Sequence, residues 1–275
     1  MIDRSAQWQL KGNAPKIYDR YIAPAVSAPW YPHFVKAGLP YIKRAIADIG
    51  CGTGSFLFHL VEQQEIPDDI ELVGVDLNLS MLAVAEEKII SSTKSISWVN
   101  ADVTQLPFTD NYFHLVYCQQ GIQYFEDKLV ALKEIHRVVH GKGAFVATVW
   151  SEIEACVGYK CLAEAVLKVA GDKAKSSLYA PFSFSEPEVL EGMVKSAGFS
   201  LVNVQIIDNF VRFPSIKEFV WHRIYGSPLI DDLPQNDIEN VVNEIALELE
   251  LTLKSYEGKD GLVFPVKANY LIAEK

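Results

Sequence analysis

Three acidic residues and a run of alternating glycines have the types and spacing that binding chemistry needs. Residues 48–54 read Asp48-Ile49-Gly50-Cys51-Gly52-Thr53-Gly54. Glycines at alternate positions let the backbone turn sharply and approach a ligand closely, because they have no Cβ and tolerate positive φ. A dinucleotide fingerprint needs G-x-G-x-x-G. Counted from Gly50 it requires a glycine at 55, where Ser55 stands, so the spacing here is G-x-G-x-G. The next acid at the end of an apolar run is Asp76, 22 residues after Gly54. A carboxylate there can accept both hydroxyl hydrogens of a ribose diol, or it is an ordinary helix N-terminal residue. Asp102 follows the apolar run at 97–99. It can accept from an exocyclic adenine amine, or it caps its own loop as an Asx-turn. For the glycine run the alternative is a tight turn with no ligand.

Such residues need strands to hold them. Short apolar runs at 45–49, 71–76, 97–99, 113–118 and 144–150 read as buried strands. Helical spacing separates them, over about 53–64, 79–90 and 126–139, with Leu79, Leu82, Ala83, Ile89 and Ile90 on one face of the second. Strand–helix alternation at this pitch predicts right-handed crossovers and a doubly wound, mostly parallel α/β sheet. Gly141-Lys142-Gly143 reads as the glycine stop of the 126–139 helix. A helix near 152–170 follows. Ser185 is expected to cap another before Glu186-Pro187. Strands at 199–207 and 262–273 flank a helical insert at about 214–254. Residues 1–44 are rich in aromatics, among them Trp8, Tyr18, Tyr21, Trp30 and Tyr31, and in prolines, so short helices broken at proline are expected. This divides the chain into an N-terminal helical cap, 1–44, and one sheet domain, 45–275, that holds the insert.

The chain has 275 residues, 25 Lys+Arg against 35 Asp+Glu, for a net charge of −10. At 49% hydrophobic and 22% charged it can bury a core, which excludes wholesale disorder. The acidic balance argues against wrapping nucleic acid or docking on an anionic membrane, since both need a basic face. No apolar signal region follows Met1, and no run approaches the roughly 20 residues of a membrane span. The cysteines, Cys51, Cys118, Cys156 and Cys161, form no C-x-x-C pair and have no partners at metal-ligand spacing. Reduced thiols, a cytoplasmic location and no metal are the expectations.

Taken together, the D-x-G-x-G-x-G turn, the strand ending in Asp76, the Asp102-Val103 pair, and Leu106-Pro107-Phe108 followed by Phe113-His114-Leu115-Val116 resemble the class I S-adenosylmethionine-dependent methyltransferases. The resemblance covers roughly 44–150 and is nearest to the small-molecule branch that includes the ubiquinone and menaquinone enzymes. It implies a Rossmann-like, seven-stranded sheet with an antiparallel final hairpin, and S-adenosyl-L-methionine as cofactor with S-adenosyl-L-homocysteine as product. By the same resemblance Gly50, Cys51, Gly52 and Gly54 line the methionine part of the cofactor. Asp76 holds the ribose, Asp102 and Val103 the adenine, and Leu77 and Met81 sandwich the ring. Asp48 anchors the turn or reaches the ammonium group. Tyr18 or Tyr21, three apart on one expected helix face, meets the carboxylate, and Gln119 is a further contact.

Methyl transfer is an in-line displacement, so alignment and exclusion of water supply most of the acceleration. The loop 118–125 carries amides and aromatics but no charge. Gln120, Gln123 and Tyr124 are its candidates for lining the acceptor site. The insert is the candidate lid, with Trp221, Tyr225 and Leu229 as apolar walls. His222 is the histidine expected to come nearest a substrate; Gln120, Tyr124 and His222 are the candidate catalytic residues. The expected acceptor is a small, uncharged or cationic molecule with an O, N or C nucleophile, and the expected assembly is a monomer or homodimer. A non-catalytic binding protein or assembly subunit of the same fold is the alternative.

Overall fold

Near-continuous burial along short apolar strands builds a sheet covered on both faces. In the computed structural model, residues 9–63, 66–88 and 95–275 are described. Trp8, Gln64, Ile89 and Ile90 lie outside the described residues. The strands are β1 (Ala45–Ile49), β2 (Glu71–Asp76), β3 (Ile96–Asn100), β4 (Phe113–Gln119), β5 (Val139–Trp150), β6 (Leu201–Phe213), β7 (Glu257–Gly258) and β8 (Gly261–Glu274). Their order is β3-β2-β1-β4-β5-β8-β6, with the two-residue β7 paired to β8. β3 through β5 pair in parallel, while β8 runs antiparallel to both β5 and β6. The seven-stranded path and its antiparallel end match the expected architecture, and β7 is an addition to it. Ile46, Leu72, Leu115 and Val146 point to one core, and Ala47, Val73, Val116 and Phe145 to the other. That is the period-two alternation of a strand buried on both sides.

The helices are α1 (Ala14–Ile17), α2 (Tyr31–Gly38), α3 (Ser55–Glu62), α4 (Leu79–Glu87), α5 (Lys128–Val138), α6 (Val157–Ala170), α7 (Lys175–Tyr179), α8 (Pro187–Ser196), α9 (Ile216–Tyr225) and α10 (Ile238–Leu253). α5 and α8 cover one face through Ile135, Leu190 and Val194. α2, α3, α6, α9 and α10 share the core of the other, with Phe34, Leu57, Leu162, Phe219 and Leu249. Among the described residues no helix is long and apolar enough to cross a membrane.

Three local expectations are corrected. The 126–139 helix has no glycine stop. α5 ends at Val138, and Val139 is already extended, with ψ 134°. Its terminal carbonyls are met from elsewhere: the Lys275 ammonium donates to the carbonyls of His136 and Val139, at 2.8 and 2.9 Å. Gly141 and Gly143 instead lie within β5, beside a slip in its register with β4. A Cβ on Gly143 would sit 2.6 Å from the His114 carbonyl oxygen, so close strand approach requires this glycine. Second, Glu186 rather than Ser185 occupies the N-cap of α8, with no side-chain cap bond and Pro187 opening the helix. Third, β6 runs on to Phe213, beyond the expected end at 207. Asp208 and Asn209, past that end, pair with Lys267 and Val266. β6 is an edge strand with alternate positions in water, where polar residues are tolerated.

The N-terminal segment follows its prolines. After α1 the chain winds as a π-helix over Tyr18–Ser27 with Pro24 inside it, then a 3-10 turn over Ala28–Trp30. Trp30 and Phe34 are wholly buried, and the Trp30 ring meets Trp150 edge-on at 6.0 Å. The insert after β6 opens with Ser215, whose hydroxyl oxygen accepts from the Glu218 N–H at 3.1 Å.

Gly54 gives this arrangement a stability test. Its φ is +69°, and an added Cβ would lie 2.2 Å from the Trp98 ring. Gly54→Ala should lower unfolding free energy by about 1–3 kcal/mol. In denaturant unfolding, Trp98→Leu should recover the steric share and leave the backbone share. Equal stability of Gly54→Ala and the parent would contradict this.

Candidate functional site

The glycine turn is built by the backbone of its neighbouring strand. Gly50 and Cys51 donate their N–H groups to the Val75 carbonyl, at 2.8 and 3.1 Å. Gly50 and Gly52 both have positive φ, +73° and +56°. A Cβ on Gly52 would come to 3.0 Å from the Met81 methyl, so bare backbone faces the space above the turn. Asp76 ends β2 and holds the turn: one carboxylate oxygen accepts from the Gly52 N–H at 2.7 Å and the other from the Asn78 N–H at 2.8 Å. Burial raises its pKa, and these N–H bonds work against that shift. The Asn78 side chain caps α4, its oxygen accepting from the N–H groups of Ser80 and Met81. Its amide nitrogen donates to the Leu10 carbonyl at 3.1 Å, which draws the N-terminal segment to the same place.

A cavity of about 1060 Å³ opens at the carboxyl edge of these strands. One wall holds Gly50, Gly52, Asp76, Leu77, Met81, Asp102, Val103 and Gln119, together with Tyr18. These residues, expected together from the sequence, are brought together. Asp102 also caps its own turn, one oxygen accepting from the Thr104 N–H and hydroxyl, both at 2.8 Å. The Gln119 amide donates to the Ser27 carbonyl at 2.8 Å, and the Tyr18 and Ser27 hydroxyls lie 3.2 Å apart. Burial raises the Tyr18 pKa. Gln120 and Tyr124 join the lining. Gln120 has φ +53°, strained for a residue with a Cβ, and its buried amide nitrogen has no partner. Burial pushes the Tyr124 hydroxyl up to about 12.

Other expected site residues do not line the cavity. Gly54 packs under Trp98 instead. Cys51 and Asp48 are buried beneath the turn. Gln123 is buried and donates to the Gln120 side-chain oxygen at 3.2 Å. Tyr21 stacks on His222, with ring centroids 4.1 Å apart, and does not line the cavity that Tyr18 reaches. The wider turn of the π-helix separates residues three apart that an α-helix would align. His222 is enclosed between Tyr21 and the Glu218 carboxylate, 3.1 Å from its Nε2, and burial lowers its pKa. Trp221 and Tyr225 stack on one another toward the outside, at 4.7 Å.

α9 presents Arg223 to the cavity, and adjacent residues on a helix face other directions. Arg223 was missed, as was the aromatic wall of Trp150, Tyr159 and Phe182, with Leu162, Leu178 and Met193 beside it. A signal was available at Arg223: it interrupts the buried run Phe219, Val220 and Ile224 and so borders the core. The wall from α6 and the turns near 177–182 carried no signal, because its residues look like core. Leu229 does line the cavity, as expected. Among the described residues no cluster of His, Cys, Asp or Glu could hold a metal.

A doubly wound sheet, a glycine turn after the first strand and acids at the ends of the next two define a Rossmann-like fold with its ligand crevice at the carboxyl edge. A methyltransferase-domain family profile matches residues 47–147. The chain is 31% identical over 169 residues to the demethylmenaquinone methyltransferase of Staphylococcus aureus, across 58% of this chain and 68% of that protein. The crystal structure of YcgJ from Bacillus subtilis superposes with a TM-score of 0.58 at 16% identity, over 89% of this chain and 97% of that one. A putative methyltransferase from Bacillus halodurans gives 0.53 at 18%, over 88% and 97%. The chain belongs to the class I S-adenosylmethionine-dependent methyltransferase family, and it is an enzyme of that class with S-adenosylmethionine as its cofactor.

Asp48 provides a pH test. It is 3% exposed, and one of its carboxylate oxygens has no partner. Burial, and secondly the charge of Asp76, push it up to about 8. The folded protein therefore keeps a proton that the unfolded chain releases near pH 4. Stability from this group is fully present below about pH 4 and is lost as pH rises to about 8. Asp48→Asn removes that loss. Its melting temperature relative to the parent should climb between about pH 4 and 8 and level off above. A difference that does not change with pH would contradict the raised pKa.

Proposed function

We propose that this enzyme transfers a methyl group from S-adenosylmethionine to a small-molecule acceptor held against the aromatic wall of the cavity. The observation that carries the reading is the division of one cavity into a glycine-and-acid wall and an aromatic wall. The first fits the cofactor. Gly52 offers backbone where a Cβ would already crowd Met81, and Asp76 and Asp102 present carboxylate oxygens to the same space. In this reading Asp76 accepts from the ribose hydroxyls and Asp102 from the adenine amine. Leu77 and Met81 flank the ring, and Tyr18 and Gln119 attend the methionine end. Val103 closes the adenine side. Asp48 acts from beneath the turn, as an anchor.

Bound S-adenosylmethionine supplies an activated methyl on a sulfonium. What remains for the chain is to hold the acceptor in line and keep water out. Trp150, Tyr159, Phe182 and Leu229 provide apolar walls, the setting that small-molecule sites need. Gln120, held in a strained backbone conformation, and Tyr124 supply hydrogen bonds that orient the acceptor. None of the described lining residues is a histidine. Catalysis here rests on positioning and desolvation, and a base is needed only where the acceptor must lose a proton early.

The test is equilibrium titration with S-adenosylhomocysteine, followed by product assay on a metabolite extract. Asp76→Ala should weaken binding about tenfold or more, and Asp102→Ala by several-fold. His222→Gln should leave both affinity and turnover within about twofold of the parent. Unchanged affinity in Asp76→Ala, or loss of turnover in a folded His222→Gln, would overturn the assignment.

A further inference from the structure

Arg223 reaches the cavity from α9 and lies on the Tyr159 ring, its guanidinium carbon 5.2 Å from the ring centroid. Its Nε is buried without a partner, and its guanidinium makes no ion pair or hydrogen bond among the described residues. Tyr159 is 6% exposed, and its hydroxyl is also buried and unpartnered. Leaving a buried guanidinium Nε and a buried hydroxyl unpaired is costly. Both groups face one cavity, on a wall that is otherwise Trp150, Leu162 and Phe182. Burial raises the Tyr159 pKa, with Arg223 acting against it, so the phenol keeps its proton as a donor.

We infer that Arg223 and Tyr159 form an anion subsite that holds the acceptor by a carboxylate or phosphate group. This deepens the reading of the aromatic wall as the acceptor site and rests on it. A guanidinium gives planar, two-point recognition of either group, and the phenol adds a third donor. The apolar body of the acceptor lies against Trp150 and Phe182, whose rings are 5.5 and 5.8 Å from Tyr159. The donors proposed for the methionine end, Tyr18 and Gln119, are already engaged with Ser27. The subsite reverses the expectation of an uncharged or cationic acceptor. A net charge of −10 spread over the surface is screened within about 10 Å, whereas a guanidinium lining the cavity acts at contact.

The experiment titrates the full chain, alone and saturated with S-adenosylhomocysteine, with benzoate, phenyl phosphate, benzyl alcohol and benzylamine. At least one anionic probe should bind about tenfold tighter than benzyl alcohol, and which one does identifies the anion class. Arg223→Gln should erase that preference, Arg223→Lys should keep part of it, and Tyr159→Phe should weaken it several-fold. Affinity for S-adenosylhomocysteine should stay within about twofold in all three, each checked for folding by circular dichroism. Equal binding of neutral and anionic probes, or a preference that survives Arg223→Gln, overturns the subsite. A tenfold loss of S-adenosylhomocysteine affinity in Arg223→Gln also overturns it and gives the guanidinium to the cofactor carboxylate. If the parent fails to bind S-adenosylhomocysteine, the cofactor assignment fails alone, because the anion preference is also read on the protein without it.

Discussion

The end of β1 is clamped to the end of β2 by backbone N–H groups: Gly50 and Cys51 on the Val75 carbonyl, Gly52 on the Asp76 carboxylate. Each further feature of the site depends on this clamp. It bends the chain out of the sheet through positive φ at alternate glycines. It fixes Asp76 at the cavity rim, where the second carboxylate oxygen takes the Asn78 N–H. Asn78 then starts α4 and reaches across to Leu10. One half-buried carboxylate thus ties the turn, a helix start and, through Asn78, the N-terminal segment into one unit. Burial raises its own pKa, and its charge adds to the rise of Asp48.

The cavity owes its other walls to parts of the chain far from this turn. The Ser27 carbonyl takes the Gln119 amide, and the Pro29 carbonyl takes the Asn209 amide at 2.8 Å. These bonds lash the N-terminal segment to the end of β4 and to the interior of β6. Trp30 against Trp150 fills the space between. From the opposite side, α9 brings Arg223, and the turn after it brings Leu229. A polar wall from the parallel strands and an aromatic wall from α6, the 180–182 turn and α9 therefore meet in one chamber. Under the proposed function, that arrangement holds cofactor and acceptor in contact and away from water.

The parallel half of the fold was legible because its strands are apolar on both faces and its helices keep helical spacing. Those patterns depend on neighbours a few residues away. Legibility failed where the deciding partner was distant. Gly141-Lys142-Gly143 looked like a helix stop, yet Lys275, at the far end of the chain, caps that helix. The strand expected to stop at 207 continues, because pairing with β8 keeps Asp208 to Phe213 extended. Tyr18 and Tyr21 looked like one face until the segment wound as a π-helix.

By itself the sequence determined the glycine turn, the acids at Asp76 and Asp102, the mostly parallel sheet that carries them and the family they mark. These are local matters of backbone freedom, apolar runs and carboxylate spacing. Only the tertiary structure decided which side chains share the cavity. The helical phase of α9 turns Arg223 inward and shuts His222 behind Tyr21. The packing of α6 converts Tyr159 from an apparent core residue into a cavity wall with an unpaired hydroxyl. Those outcomes depend on how elements far apart in sequence pack together, and no window of sequence contains that information.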